Sequence, residues 1–453
     1  MDSIGKRGGD LSRIARDFTV EVFARGDVQA KLKQALSSTG RLRQRSSPLQ
    51  PVLMMWLILH LPVFRSESIP AVLGRLVAGL RGRLRGLPMH PAEDDALAHA
   101  RCRIGVAPLR ALFQSLGEEV KPTPSFHEYR LWAMDGVQLT MPDTPRNLAA
   151  FKQPKMSRGR AAFPRMRAVG LQDVVTRRFR DVRFGTLATG ERDLAGPLLK
   201  HLGQGDLVSL DRGFYGMTFF VPLRERRVHF LARVPTQAKF KAVAGTRKKD
   251  GDYLADIQGP DASGRWVSMR VRVIEYRLRG FGKVRLATSV LDLPIPALDW
   301  ILAYHRRWEI EIGFDEIKTH QSSHAGGALK TVFRSKTPRG VMQEAYALFC
   351  SYNLVRETMV VAAHAHRLPT DSISFVGALR AIAQMLPRMR SASTKQLPAL
   401  YQQLLKDIAA QRLRPRRNRR YPRAVKVKMS NYALKPPQHR QVFFDLRQIR
   451  IGA

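Results

Sequence analysis

Acid and cysteine are what this chain has least of. Only 37 of its 453 residues are Asp or Glu, against 77 Lys or Arg, giving a formal net charge of +40 and a pI of about 11.3. Such an imbalance disfavours cationic partners and points to nucleic acid, because neutralising phosphates releases condensed counterions. No basic amphipathic helix dominates, which argues against a membrane-surface role. The two cysteines, Cys102 and Cys350, lie far apart. They exclude a disulfide scaffold or a cysteine zinc site and suit a reducing compartment. Long hydrophobic runs are missing too. The most apolar stretch, Val52 to Phe64, contains His60 and Pro62. It is too short to span a bilayer and reads as a buried helix. The N-terminus lacks a signal-peptide h-region, so the expected location is cytoplasmic, on the nucleoid, with no membrane partner. His320 and His324 have the i,i+4 spacing of a helical zinc pair, but no Glu follows His320. His364 and His366, two apart, face differently. Neither pair reads as a metal site.

What is there divides into segments. To about residue 120 the chain reads as helical, with Ser47-Pro48 as the cap and first turn of the apolar helix. Arg41, Arg43, Arg45, Arg75, Arg81, Arg83, Arg85, Arg101 and Arg103 intersperse this part. They suit DNA binding, or the solvated surface of a generic bundle. Lys121-Pro122-Thr123-Pro124 marks a boundary. Beyond it, strands are expected at Tyr129 to Met134 (ending at Asp135), Met166 to Val175 and Phe179 to Phe184. A helix follows over Ala195 to Leu202, then a strand over Leu207 to Leu210 ending at Asp211, a helix over Phe214 to Leu223 and a strand over Val228 to Val234. This is the element order of a ribonuclease-H-like α/β core. Alternating runs such as Trp266 to Val273, separated by turn signals, make 235–291 a β-rich insertion. Pro296 to about Gln321 reads as one helix. The expected domains are a helical DNA-binding region over 1–120, a catalytic domain over 121–320, a helical region over 321–411 that could dimerise, and a basic tail over 412–453. A further basic loop carries Lys152, Lys155, Arg158, Arg160, Arg165 and Arg167.

The most informative stretch is Tyr304 to Lys318. On an unbroken helix at 100° per residue, Arg307, Glu311 and Lys318 lie at about 300°, 340° and 320° from Tyr304. A hydroxyl, a guanidinium, a carboxylate and an ammonium then share one narrow face. A carboxylate between two cations suits a metal-holding acid beside a phosphate backbone. An ordinary solvated face is the alternative. Asp315 falls on the same stripe, where an i,i+3 pair with Lys318 accounts for it.

The spacing Y-x2-R-x3-E-x6-K resembles the signature of bacterial DDE transposases of the insertion-sequence-four family. Trp132-Ala133-Met134-Asp135-Gly136 with Leu139 to Thr144, and Leu207 to Phe214 around Asp211, resemble two further segments of that family in the right order. The resemblance covers roughly residues 125–320. It implies a ribonuclease-H-like core, with the β-rich insertion between the second Asp and the Glu. It implies Asp135, Asp211 and Glu311 as catalytic acids and metal ligands for two Mg²⁺, with Mn²⁺ able to substitute. Tyr304, Arg307 and Lys318 would contact DNA. Trp308 would stack on an unpaired base or fill the core, and Arg212 would touch DNA or pair with an acid. The implied activity is cut-and-paste transposition of double-stranded DNA, acting on terminal inverted repeats and target DNA, as a homodimer on DNA. Two rivals stay open: a nuclease without strand transfer, and a non-catalytic DNA-binding protein derived from a transposase.

Overall fold

The structure, a computed structural model, describes residues 27–42, 49–64, 67–78, 94–156, 159–161, 163–246, 251–278, 282–291, 294–321, 332–393, 395–413 and 449–451. Five helices come first: α1 (Asp27–Ser38), α2 (Pro51–His60), α3 (Ile69–Ala78), α4 (Asp94–Ile104) and α5 (Ala107–Glu118). Then come β1 (Arg130–Thr140), α6 (Pro145–Phe151), a small hairpin of β2 (Lys155–Met156) and β3 (Gly159–Arg160), β4 (Arg165–Asp173), β5 (Phe179–Thr186) and α7 (Glu191–Ala195). β6 (Asp206–Leu210), α8 (Met217–Glu225) and β7 (His229–Arg233) follow, then β8 (Lys241–Ala242), β9 (Asp252–Pro260), β10 (Trp266–Leu278) and β11 (Lys283–Thr288). The remainder is α9 (Ala297–His305), α10 (Trp308–Asp315), a π-helical turn Glu316–Gln321, α11 (Pro338–Ala365), α12 (Phe375–Ser391), α13 (Leu397–Ala410) and β12 (Ile449–Ile451).

The chain divides into two compact units, and β1 runs from one into the other. The first comprises Met1–Thr123, Asp135–His201 and Glu309–Arg412. Its centre is α11, whose residues from Gln343 to Met359 are all buried, charged ones included. Thr337 caps it by accepting from the Gly340 N–H at 3.3 Å, and Pro338 pre-sets the first turn. Asn353 on α11 takes the place of a neighbouring strand. Its amide accepts from the Phe179 N–H and donates to the Phe179 carbonyl, both at 2.8 Å. β4 and β5 pair antiparallel. The apolar run at 52–64 is helical over Pro51–His60, and its side chains are buried but for half-exposed Val52 and Val63. The start differs from expectation. Pro51 opens the helix after Gln50, while Ser47 and Pro48 lie outside the described residues. Cys350 on α11 is sealed in the core, whereas Cys102 on α4 is exposed. Among the described residues no helix is long and apolar enough to cross a membrane.

The second unit comprises Pro124–Met134, Leu202–Trp308 and Leu413–Ala453. Its five-residue strand β6 is buried throughout and pairs parallel with β1 and with β7. An apolar strand buried on both faces is what a parallel pairing requires. The ladder continues antiparallel from β7 to β11, β10, β9 and β8, and β12 pairs with β10. Strands therefore fill the stretch read as a β-rich insertion. Inside it, Arg272 grips Asp252 with two hydrogen bonds at 2.8 and 2.6 Å and donates to the Ile295 carbonyl at 2.7 Å. All three groups are buried, so the pair is fully satisfied rather than a liability.

Three expectations need correction. β1 does not end at Asp135 but runs on to Thr140. The helix expected over Ala195 to Leu202 is a short α7 followed by a 3₁₀ segment, Gly196–His201, because Gly196-Pro197 interrupts the α ladder. The single helix expected over Pro296 to Gln321 is broken twice, with consequences for the site.

Candidate active site

In the second unit, Met134 of β1 is the register partner of Leu210 on β6, and Leu210 of Ala232 on β7. The next residues along β6 and β7 are Asp211 and Arg233. The start of this row is anchored by Asp206, which accepts from the Trp132 indole at 2.9 Å and pairs with Arg130 at 2.8 Å. Asp211 is half-buried and caps a 3₁₀ turn, Arg212–Phe214, accepting from the Gly213 N–H at 2.7 Å. One carboxylate oxygen is thereby fixed by backbone. Arg212 is exposed.

Tyr304, near the end of α9, is buried. Burial pushes its phenol above the ordinary value. A hydrogen bond from Arg307 and the charges of Arg307 and Arg233 oppose that shift, and the Asp211 carboxylate adds to it. Tyr276 on β10 is pushed up in the same way, by burial and by Tyr304, against Arg233. Asp211, Arg233, Tyr276, Tyr304 and Arg307 thus share one electrostatic neighbourhood. The Arg307 guanidinium is buried and lies 5.8 Å from the ring centroids of both Tyr304 and Trp308, a cation–π arrangement. Trp308 itself is 41% exposed, which removes the core reading for its indole.

The expected single helical face is not what forms. After α9 the chain tightens. The Arg306 N–H reaches the carbonyls of Leu302 and Ala303, and the Arg307 N–H reaches Tyr304 at 3.0 Å. The i→i−3 bonds, Arg306 to Ala303 and Arg307 to Tyr304, end the helix. α10 restarts at Trp308, and from Glu316 the ladder widens to a π-turn. Rotation per residue is therefore not constant between Tyr304 and Lys318, and the single-wheel angles do not hold. Tyr304 and Arg307 are buried, Glu311 is half-buried and Lys318 is exposed.

In the first unit, Asp135 lies within β1, half-buried, and accepts from the Gly136 N–H at 2.7 Å. Two acids flanking Glu311 have other work. Glu309 pairs with Arg177. Glu316, buried, meets Arg177 at 3.3 Å and Tyr352 at 2.9 Å, and pairs with Arg356. Gly313 lets α10 approach this network, since a Cβ there would lie 2.3 Å from the Gln172 amide nitrogen. Asp315 is exposed and accepts from the Thr319 hydroxyl at 2.6 Å. In the basic loop, Arg165 donates to Gln138 at 3.2 Å and Arg167 pairs with Glu191 at 3.7 Å. Arg158 lies outside the described residues, as do His324 and the tail from 414 to 448. Among the described residues no three His, Cys, Asp or Glu side chains are grouped to hold a metal ion.

Sequence reasoning missed Arg233 and the Arg177–Glu316–Arg356–Tyr352 network. A basic residue ending the strand after Asp211 was the available signal for the first. For the second there was none, because its members are dispersed along the chain.

The family described as the transposase DDE domain matches residues 126–354, and that described as the insertion element 4 transposase N-terminal matches 19–114. The chain is 29% identical over 424 residues to the transposase InsG for insertion sequence element IS4 of Escherichia coli strain K12, covering 90% of this chain and 92% of that one. A cryo-EM structure of the piggyBac transposase synaptic complex with hairpin DNA matches at a TM-score of 0.41 and 11% identity, over 94% of this chain and 88% of that one, a likeness too loose to define the fold. The first match spans half of the chain, and with it the chain belongs to the DDE transposases. It is a metal-dependent enzyme of DNA cleavage and strand transfer, acting in DNA transposition.

Proposed function

We propose that Asp135, Asp211 and Glu311 are the catalytic acids, in a ribonuclease-H-like core, and that the enzyme moves its own element by cut-and-paste transposition. The observation that carries this is the register: Met134 pairs with Leu210, and the residue after each is an aspartate. Glu309 and Glu316 are tied to arginines, and Glu311 stands at the acid position of the spacing Y-x2-R-x3-E-x6-K.

The donor set fits Mg²⁺, with Mn²⁺ able to replace it. Carboxylates are hard oxygen ligands, and Mg²⁺ asks for only one or two of them, completing its shell with water and substrate phosphate. Bound there, the cation would supply a deprotonated nucleophile and charge stabilisation at the leaving oxygen. The chain's own groups do the remaining work. Asp211 is held by the Gly213 N–H, so one oxygen keeps its direction. Arg307 offers a planar fork to a phosphate, pre-positioned between two aromatic rings. Trp308, exposed, offers a face to an unpaired base at the DNA end. Lys318 and Arg212, both exposed, add charge along the backbone path. Tyr304, buried with its proton held tightly, donates a hydrogen bond rather than attacking as a phenolate.

The N-terminal region over 1–120 binds the terminal inverted repeats, supported by the match at 19–114. The protein works as a homodimer on paired ends, with 321–411 as the dimerising region and the basic tail over 412–453 as an electrostatic arm. Asp135→Ala, Asp211→Ala and Glu311→Ala should each slow metal-dependent nicking of a terminal-repeat duplex by on the order of 10⁴-fold, with binding by fluorescence anisotropy nearly unchanged. Wild-type nicking by any one variant removes that residue from the site.

A further inference from the structure

We propose that Arg233 is a second phosphate-binding guanidinium of the active site, holding the DNA backbone beside Asp211. This rests on the reading of Asp211 as a catalytic acid.

β7 runs parallel to β6, with Leu207, Val208, Ser209 and Leu210 opposite His229, Phe230, Leu231 and Ala232. One step beyond the last register pair, Arg233 follows Ala232 as Asp211 follows Leu210. Neighbouring strands lie about 4.8 Å apart, and registered residues point to the same face. The backbone of Arg233 is locked on its other side, where it pairs with Leu286 on β11. Its Cα is therefore held by the β11 ladder, one residue past the β6 ladder, a rigid placement of the kind a precise contact needs.

The side chain reaches the right neighbourhood. Its charge acts on the phenols of both Tyr304 and Tyr276, and Tyr304 is also within reach of Asp211 and Arg307. Arg233 is half-buried, yet among the described residues it forms no ion pair. Other inward arginines of this unit are treated differently: Arg272 is clasped by Asp252, and Arg130 by Asp206. A guanidinium partly withdrawn from water without a carboxylate is costly. A phosphate oxygen beside the scissile bond offsets that cost and uses the fork geometry.

The test is methylphosphonate interference in single-turnover nicking. The probe is a duplex carrying the element's own end, with the phosphates around the scissile bond neutralised one at a time. In the wild type, one position should slow nicking by about 10- to 100-fold. Arg233→Ala should be slowed by a similar factor on unmodified DNA and should lose no more when that phosphate is neutralised. Arg233→Lys, which keeps charge and stem, should recover part of the rate and keep the same interference position. Should the losses multiply in Arg233→Ala, or should it cut at the wild-type rate, the proposal is overturned. If Arg233→Ala does not fold, an interference map for Arg233→Lys unchanged in depth from the wild type overturns it equally. Asp211→Ala run alongside separates the two readings. Normal nicking by Asp211→Ala defeats the site itself, whereas a dead Asp211→Ala beside a normal Arg233→Ala defeats only the role of Arg233.

Discussion

Arginines near the signature segment behave in two ways. In the first unit, Arg177 and Arg356 are buried against Glu309 and Glu316, with Tyr352 closing the set. In the second, the Arg307 guanidinium lies 5.8 Å from the ring centroids of Tyr304 and Trp308, and the charge of Arg233 acts on Tyr304 and Tyr276. The first arrangement is self-neutralising and ties the π-helical turn to α11 through Glu316. The second sets the Arg307 guanidinium against two aromatic rings. Under the proposed function, residue type alone does not separate structural from DNA-facing arginines; what packs against each guanidinium is the distinction to test.

That contrast can be broken by exchanging its terms. Glu316→Gln leaves Arg356 buried with its carboxylate gone and Arg177 with Glu309 alone. It should lower the unfolding free energy by about 3–5 kcal/mol, read in urea titrations, and any lost nicking should track lost folding. A Glu316→Gln protein as stable as the wild type would mean the network is not structural. Arg307→Ala should do the reverse: a thermal midpoint close to wild type, and single-turnover nicking slower by on the order of 100-fold through misplaced phosphate. Arg307→Lys should recover only part of that rate, since the planar fork is lost. Equal rates for Arg307→Ala and wild type would return the segment to an ordinary charged surface. The smallest effect concerns His305, beside Tyr276 with ring centroids 6.4 Å apart. Burial holds its imidazole below the ordinary value. The unfolded chain, titrating near about 6.5, takes up its proton first as pH falls. Stability contributed by the neutral ring is thus present above about pH 6.5 and is lost as pH drops towards the folded-state value. Urea unfolding between about pH 7.5 and 5.5 should show this loss in the wild type and less of it in His305→Phe; parallel curves would contradict it.

Much of the core was legible because the relevant signals are local. Leu207 to Leu210 is an uninterrupted apolar run, and it forms the buried parallel strand before Asp211. The alternation of Trp266 to Val273 shows in β10. What escaped was non-local. Nothing in the sequence says that β1 continues past Asp135, because polar Asp135 and Gln138 look like a strand's end. The break at Arg306-Arg307 lacks any Pro or Gly. It comes from i→i−3 bonding, helped by Arg306 donating to the Ser125 carbonyl at 3.1 Å, 181 residues away. The wheel placed Tyr304, Arg307 and Glu311 together by assuming constant rotation, whereas the structure links Tyr304 and Arg307 through a hydrogen bond across a turn.

The two cysteines provide a practical handle. Burial raises the Cys350 thiol far above its ordinary value, and thiol chemistry runs through the thiolate. Cys102 is exposed on α4. A maleimide dye added to the folded wild-type protein should therefore attach at one position, within the region that matches the insertion element 4 N-terminal family. The native chain carries its own single-site reporter for DNA capture, without any engineered thiol.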